Sequence, residues 1–89
     1  MTFPTCIMST EKTKIYRFQS HGEILRVKVT QETINGQAVL AATSPDLINI
    51  TYISYQSSYP EYLPLEERME RTARGFEGQA TDMMYSRGQ

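Results

Sequence analysis

Eighty-nine residues, 39% of them hydrophobic and 21% charged, suffice for one domain with one small core. The formal net charge of −1 provides no electrostatic footprint for nucleic acid or an anionic membrane. The one cysteine, Cys6, excludes an internal disulfide and fits a reducing, cytoplasmic setting, and no apolar run is long enough to span a bilayer.

Residues 1–12 read as a flexible leader ahead of a single domain over 13–85, with a disordered tail at 86–89. Met1 to Thr10 lacks the basic and long apolar regions of a signal peptide. Met8-Ser9-Thr10-Glu11-Lys12 has the look of a second translation start, which makes residues 1–7 dispensable.

Two turn signals follow. Asn35-Gly36 is the strongest short hairpin signal, because a type I′ turn needs positive φ at both central residues. Counting outward pairs Ile34 with Gln37, Gln31 with Leu40, Val29 with Ala42 and Val27 with Ser44. A loop at His21-Gly22 pairs Phe18 with Leu25, Tyr16 with Val27 and Lys14 with Val29. Both counts put Tyr16, Phe18, Leu25, Val27, Val29, Leu40 and Ala42 on one face, a set that a one-residue slip would split. The other face carries Arg17, Arg26, Lys28, Thr30 and Glu32, with Ile15, Ile24 and Val39 as apolar exceptions.

Ser44-Pro45-Asp46 ends the third strand, and Ile48 to Tyr55 forms a fourth, rich in β-branched and aromatic residues. Its apolar residues fall on both faces: Ile48, Ile50 and Tyr52 on one, Ile53 and Tyr55 on the other.

Pro64 suits the first turn of a helix, and Glu66 and Glu67 complement its positive end. Leu65, Met69, Thr72, Ala73 and Phe76 form one stripe, which Ala80 and Met83 continue. Glu67–Arg71 and Glu70–Arg74 have the favourable i,i+4 order. Gly75 and Gly78 lie off the stripe, so close packing does not account for them; the stripe argues for one helix to Met84, the glycines for a break. The expected fold is α+β: a four-stranded antiparallel β-meander with a C-terminal amphipathic helix packed on one face.

Chemistry is sparse. His21, the only histidine, reads as a solvated turn residue rather than a general base. Cys6 has no adjacent base or cationic surroundings. There is no His/Cys cluster, nucleophile elbow or phosphate loop, so no catalytic residue, metal or cofactor is assigned and the chain reads as no enzyme on its own.

Surfaces are better marked. Tyr52, Tyr55, Tyr59 and Tyr62 cluster beside Pro60 and Pro64, and tyrosine supplies rigid contact area at low entropy cost. Such rings also cap a domain's own core, as expected of Tyr52 and Tyr55; for Tyr59 and Tyr62 both readings stand. Arg17 faces Arg26 across the first hairpin with Lys28 nearby, an arrangement that an acidic partner or a phosphate backbone would reward and that also occurs on ordinary solvated faces. The candidate partner-binding residues are Tyr55, Tyr59, Tyr62, Arg17, Arg26 and Lys28. A helix longer than the strands needs cover at its far end, which predicts a homodimer with Phe76, Ala80 and Met83 at the interface. The function expected is a small non-catalytic protein-protein interaction module, a regulator or accessory subunit of a larger assembly. The rivals are a nucleic-acid-binding regulator using the basic face and an enzyme subunit whose site forms between chains.

Overall fold

Asn35 and Gly36 take φ of 52° and 79°, the positive values that a type I′ turn demands at its two central residues. The computed structural model describes residues 4–20 and 23–87 of the chain. From that turn the register runs as counted: Ile34↔Gln37, Gln31↔Leu40 and Val29↔Ala42. The preceding hairpin pairs Phe18↔Leu25, Tyr16↔Val27 and Lys14↔Val29, and closes at Ser20↔Glu23. Its turn residues, His21 and Gly22, lie outside the described residues.

The elements in order are β1 (Thr5–Ser9), β2 (Thr13–Ser20), β3 (Glu23–Ile34), β4 (Gln37–Ser44), β5 (Leu47–Tyr55), a short 3-10 turn (Gln56–Ser58) and α1 (Leu65–Arg87). The sheet order β1-β2-β3-β4-β5 is a five-stranded antiparallel meander with the helix packed against it. The extra strand is β1, within the stretch that reads as a leader. Its sequence, Thr-Cys-Ile-Met-Ser, shows no alternation, because the register shifts between Cys6 and Met8. All five of its residues are exposed, so pairing with β2 rests on backbone hydrogen bonds and leaves no hydrophobic signature.

The core joins Tyr16, Phe18, Val27, Val29, Leu40, Ala42 and Ile50 of the sheet to Met69, Ala73, Phe76 and Ala80 of the helix. Fully burying a side chain such as Leu40 or Phe76 stabilises by roughly 1.5–3 kcal/mol, before the entropy of ordering is counted. Phe76 and Ala80 are 0% and 1% exposed within one chain, so the expectation that they need cover from a second copy does not stand. The Met83 side chain lies outside the described residues.

The helix continues through both glycines, and Ser86 and Arg87 belong to it rather than to a tail. Glu70 pairs with Arg74 at 3.7 Å. Lys14 Nζ on β2 lies 3.6 Å from Glu66, while Tyr52 on β5 reaches Gly75, so α1 crosses the sheet obliquely from β2 to β5. A Cβ on Gly75 would sit 2.6 Å from Cζ of Tyr52. Close packing therefore does explain Gly75, although it lies off the apolar stripe: the Tyr52 ring reaches around the flank of the helix. Gly78 has open space where its Cβ would be.

These two glycines separate propensity from packing. Gly78→Ala should stabilise the domain by about 1 kcal/mol, the full helix-propensity gain. Gly75→Ala must displace the Tyr52 ring from the core edge and should gain nothing or lose stability. Urea unfolding of both variants checks this, and equal stabilisation would remove the Tyr52 contact as the reason for Gly75.

Candidate interaction surface

Strand alternation decides what the uncovered face of the sheet presents. Leu25, Val27 and Val29 turn toward α1, so Ile24, Arg26 and Lys28 turn away. On β5, Ile50 and Tyr52 pack toward the helix, leaving Ile53 and Tyr55 on the open side. This resolves the two-sided pattern of that strand. Between Ala42↔Tyr52 and Ser44↔Leu47, β5 carries three more residues than β4. The irregularity carries Ile48 away from the core, where it is 82% exposed.

Across the open face, from β1 to the start of β5, Ile7, Ile15 and Ile48 line a groove of about 510 Å³, with Arg26, Lys28, Thr43, Ser44 and Pro45 completing its walls. The bulge in β1 adds Ile7 to that wall, a residue the sequence reading left in the leader.

Arg17 and Arg26 do face each other in register. The like charges are managed by a residue that sequence reasoning overlooked. Asp46, in the β4–β5 turn, accepts from Arg26 Nη2 at 2.9 Å, from Nε at 3.3 Å and from the Arg26 backbone N–H at 3.1 Å. Its own N–H donates to Ser44 Oγ at 3.0 Å, which fixes the turn. The only advance signal was an Asp directly after Pro45 in a turn. The Arg26 side chain, and then its backbone N–H, hold the Asp46 carboxyl below its ordinary value; the same pair raises the Arg26 guanidinium. Arg17 and Lys28 have no ion-pair partner among the described residues, so two of the three cations stay available.

The tyrosines divide. Tyr55 is exposed on the open face. Tyr59 is half-buried against the core, its hydroxyl 3.1 Å from Thr72 Oγ1, and Thr72 in turn donates to the Arg68 carbonyl at 2.8 Å. Tyr62 is 85% exposed in the connector. Arg68 organises that connector: Nε donates to the Leu63 carbonyl at 2.9 Å, Nη2 to the Pro60 carbonyl at 3.0 Å and Nη1 to Gln56 Oε1 at 3.3 Å. The candidate residues therefore do not form one site. Arg17, Arg26, Lys28 and Tyr55 share the open face, Tyr62 stands apart, and Tyr59 helps to hold the fold.

Burial pushes the Tyr16 hydroxyl up to about 12, with Cys6, Glu70 and Glu66 adding to the effect, which makes it a poorer base at neutral pH. Cys6 is free and exposed. Among the described residues no group of three His, Cys, Asp or Glu could hold a metal ion, and no helix is long and apolar enough to cross a membrane. Comparison with known protein families, curated proteins and solved structures finds no match for this chain.

Two measurements test this geometry. The Asp46 carboxyl should titrate by NMR below the usual aspartate midpoint, and in Arg26→Gln it should move back up. Its depressed value also means that its contribution to stability is present above the unfolded-state pKa and fades as pH falls through the folded one. Tyr59→Ala should cost about 2 kcal/mol, from the lost packing and the lost hydroxyl bond to Thr72. Tyr62→Ala should stay within about 0.5 kcal/mol of the parent. Comparable losses in the two variants would contradict the division drawn here.

Proposed function

We propose that the chain is a small non-catalytic protein-interaction module, a regulator or accessory subunit of a larger assembly, that binds an acidic, apolar segment of another protein on the open face of its sheet. One observation carries this reading: the groove lined by Ile7, Ile15 and Ile48 has Lys28 on its wall and Arg17 on the neighbouring strand, neither with an ion-pair partner among the described residues. Apolar side chains exposed in a concave surface lose unfavourable contact with water when a partner covers them. Two cations beside them favour a ligand that brings carboxylates, and steer its approach. The nucleic-acid reading is weaker because Asp46 occupies Arg26, and two cations are few for a phosphate backbone whose affinity scales with the charges neutralised.

Selection of random linear peptides displayed on phage, against the immobilised full chain, tests the proposal. Enriched peptides should combine Asp or Glu with large apolar residues. Their affinity should fall about tenfold or more for Lys28→Glu and for Ile48→Asp, and should weaken with added salt. Peptides without that bias, or peptides that bind both variants as tightly as the parent, would overturn it. A random single-stranded oligonucleotide that binds tighter than any peptide, with a steep salt slope, would favour the nucleic-acid rival.

A further inference from the structure

The two edges of the sheet differ in how they are protected. An edge strand offers a row of unpaired N–H and C=O groups, and proteins blunt such edges with short length, bulges, proline or charge. β1 is blunted: it is five residues long and its register shifts between Cys6 and Met8. β5 is nine residues long, Leu-Ile-Asn-Ile-Thr-Tyr-Ile-Ser-Tyr, without a charged residue or a proline. Its irregular part ends before Tyr52, and Tyr52 to Tyr55 pair regularly with β4. Among the described residues no backbone hydrogen bond joins its outer edge to a turn, loop or cap. Ile53 and Tyr55 are exposed beside that edge.

We infer that the outer edge of β5 is the site at which two copies of this chain pair, strand against strand and antiparallel, about a two-fold axis. This does not rest on the open-face reading above. The argument for a second copy is charge. A two-fold contact sets a surface against itself, so any net charge in the patch repels its own image. The flank of α1 toward β2 carries Glu66, close to Lys14, and Glu70, and the open face over β2 and β3 carries Arg17 and Lys28. β5 has no charge; the helix flank above it presents Thr72, beside Tyr59, Gly75, beside Tyr52, and Arg68, whose guanidinium is held by the Leu63 and Pro60 carbonyls and by Gln56. The β1 edge is uncharged too, but it is short and its register shifts, so β5 is the longer edge that meets its own copy with no charge on the strand itself. Paired residues of a continuous sheet share a side, so an axis perpendicular to the sheet relates residues of like alternation. Set at Ile53, it places Ile53 against Ile53 and Thr51 against Tyr55 on the open side, with Tyr52 against Ser54 on the helix side. The homodimer expected from the helix stripe is thereby moved to the sheet edge.

Sedimentation equilibrium on the full chain tests this with two variants. The parent should be a dimer at high micromolar concentration. Ile53→Lys, which sets two ammonium groups face to face, should be a monomer. Met8→Lys, an equal change at an exposed apolar residue on the other edge, should remain a dimer. Should Ile53→Lys fail to fold, a milder pair decides: in a Cys6→Ser background, Ile53→Cys should form a disulfide-linked dimer on oxidation, while Met8→Cys should not. Directly opposed Cβ atoms in an antiparallel pair lie about 4.5–5.5 Å apart, close enough for a bridge after a small shift. A monomeric parent overturns the proposal. So does a dimer that survives Ile53→Lys or is lost equally in Met8→Lys, and so does equal cross-linking of the two cysteine variants.

Discussion

One helix can cover one face of a sheet and no more. Five strands at about 4.8 Å make a sheet roughly 20 Å across, and a helix with its side chains is about 10–12 Å wide. α1 meets that width by crossing obliquely, from Lys14 on β2 to Tyr52 on β5. Everything on the other side must be stable without a second layer. The centre of that face shows how: Val39 and Ala41 are buried although they point away from the helix. Both are small, and their cross-strand neighbours are the larger Glu32 and Tyr55 for Val39, and Thr30 and Ile53 for Ala41. Small residues set between larger ones lose their water to the sheet itself. Of the larger residues around them, Glu32, Ile53 and Tyr55 stay exposed.

The oblique crossing has a second consequence, at the flank of the helix. Where α1 reaches β5, Tyr52 and Tyr59 stand against it, and the two rings meet it differently. Tyr52 takes the space a Cβ would need at Gly75, and Tyr59 reaches Thr72 with its hydroxyl. A glycine inside a helix costs about 1 kcal/mol against alanine. Here that cost is offset by a ring that seals the edge of the core. Arg68 completes the arrangement by binding the carbonyls of the connector that leads into the helix. In a chain segment rich in tyrosine and proline, Tyr52 and Tyr59 thus serve to seat the helix, while Tyr55 and Tyr62 are exposed.

Register was legible because two turns constrained it independently. Asn35-Gly36 and the spacing about residues 21–22 each imply the same buried set, and a sheet with one covered face tolerates no slip. Features that depend on contacts far apart in sequence were not legible. Nothing local distinguishes Gly75, where a tyrosine 23 positions earlier occupies the space, from Gly78, where nothing does. Nothing local shows that Asp46 neutralises Arg26, because the two meet only when the β4–β5 turn folds beside β3. β1 escaped notice for a different reason: an edge strand with no buried face leaves no periodicity to read. The candidate surface residues were partly legible. Alternation placed Arg17, Arg26 and Lys28 on one face, whereas the groove beside Lys28 depends on Ile7 and Ile48, both displaced by irregular register that no pattern of two could reveal.

The two proposed contacts have a geometric relation that follows from the sheet alone. Pairing through β5 about an axis perpendicular to the sheet keeps both helices on one side, and so leaves both open faces on the other. The binding grooves of two copies then look in the same direction. From Lys28 on β3 to its counterpart there are five strand intervals, through β4, β5 and their images, or about 24 Å measured across the strands. A partner carrying two acidic, apolar segments on a linker of matching span would engage both grooves, with the second contact made at high effective concentration. On the proposed reading, a groove of modest size beside Arg17 and Lys28, which have no ion-pair partner among the described residues, would bind a single segment weakly. In the proposed dimer, two such grooves on one continuous surface would make weak single contacts compatible with a stable assembly, and would give the neutral edge of β5 a reason to stay unprotected.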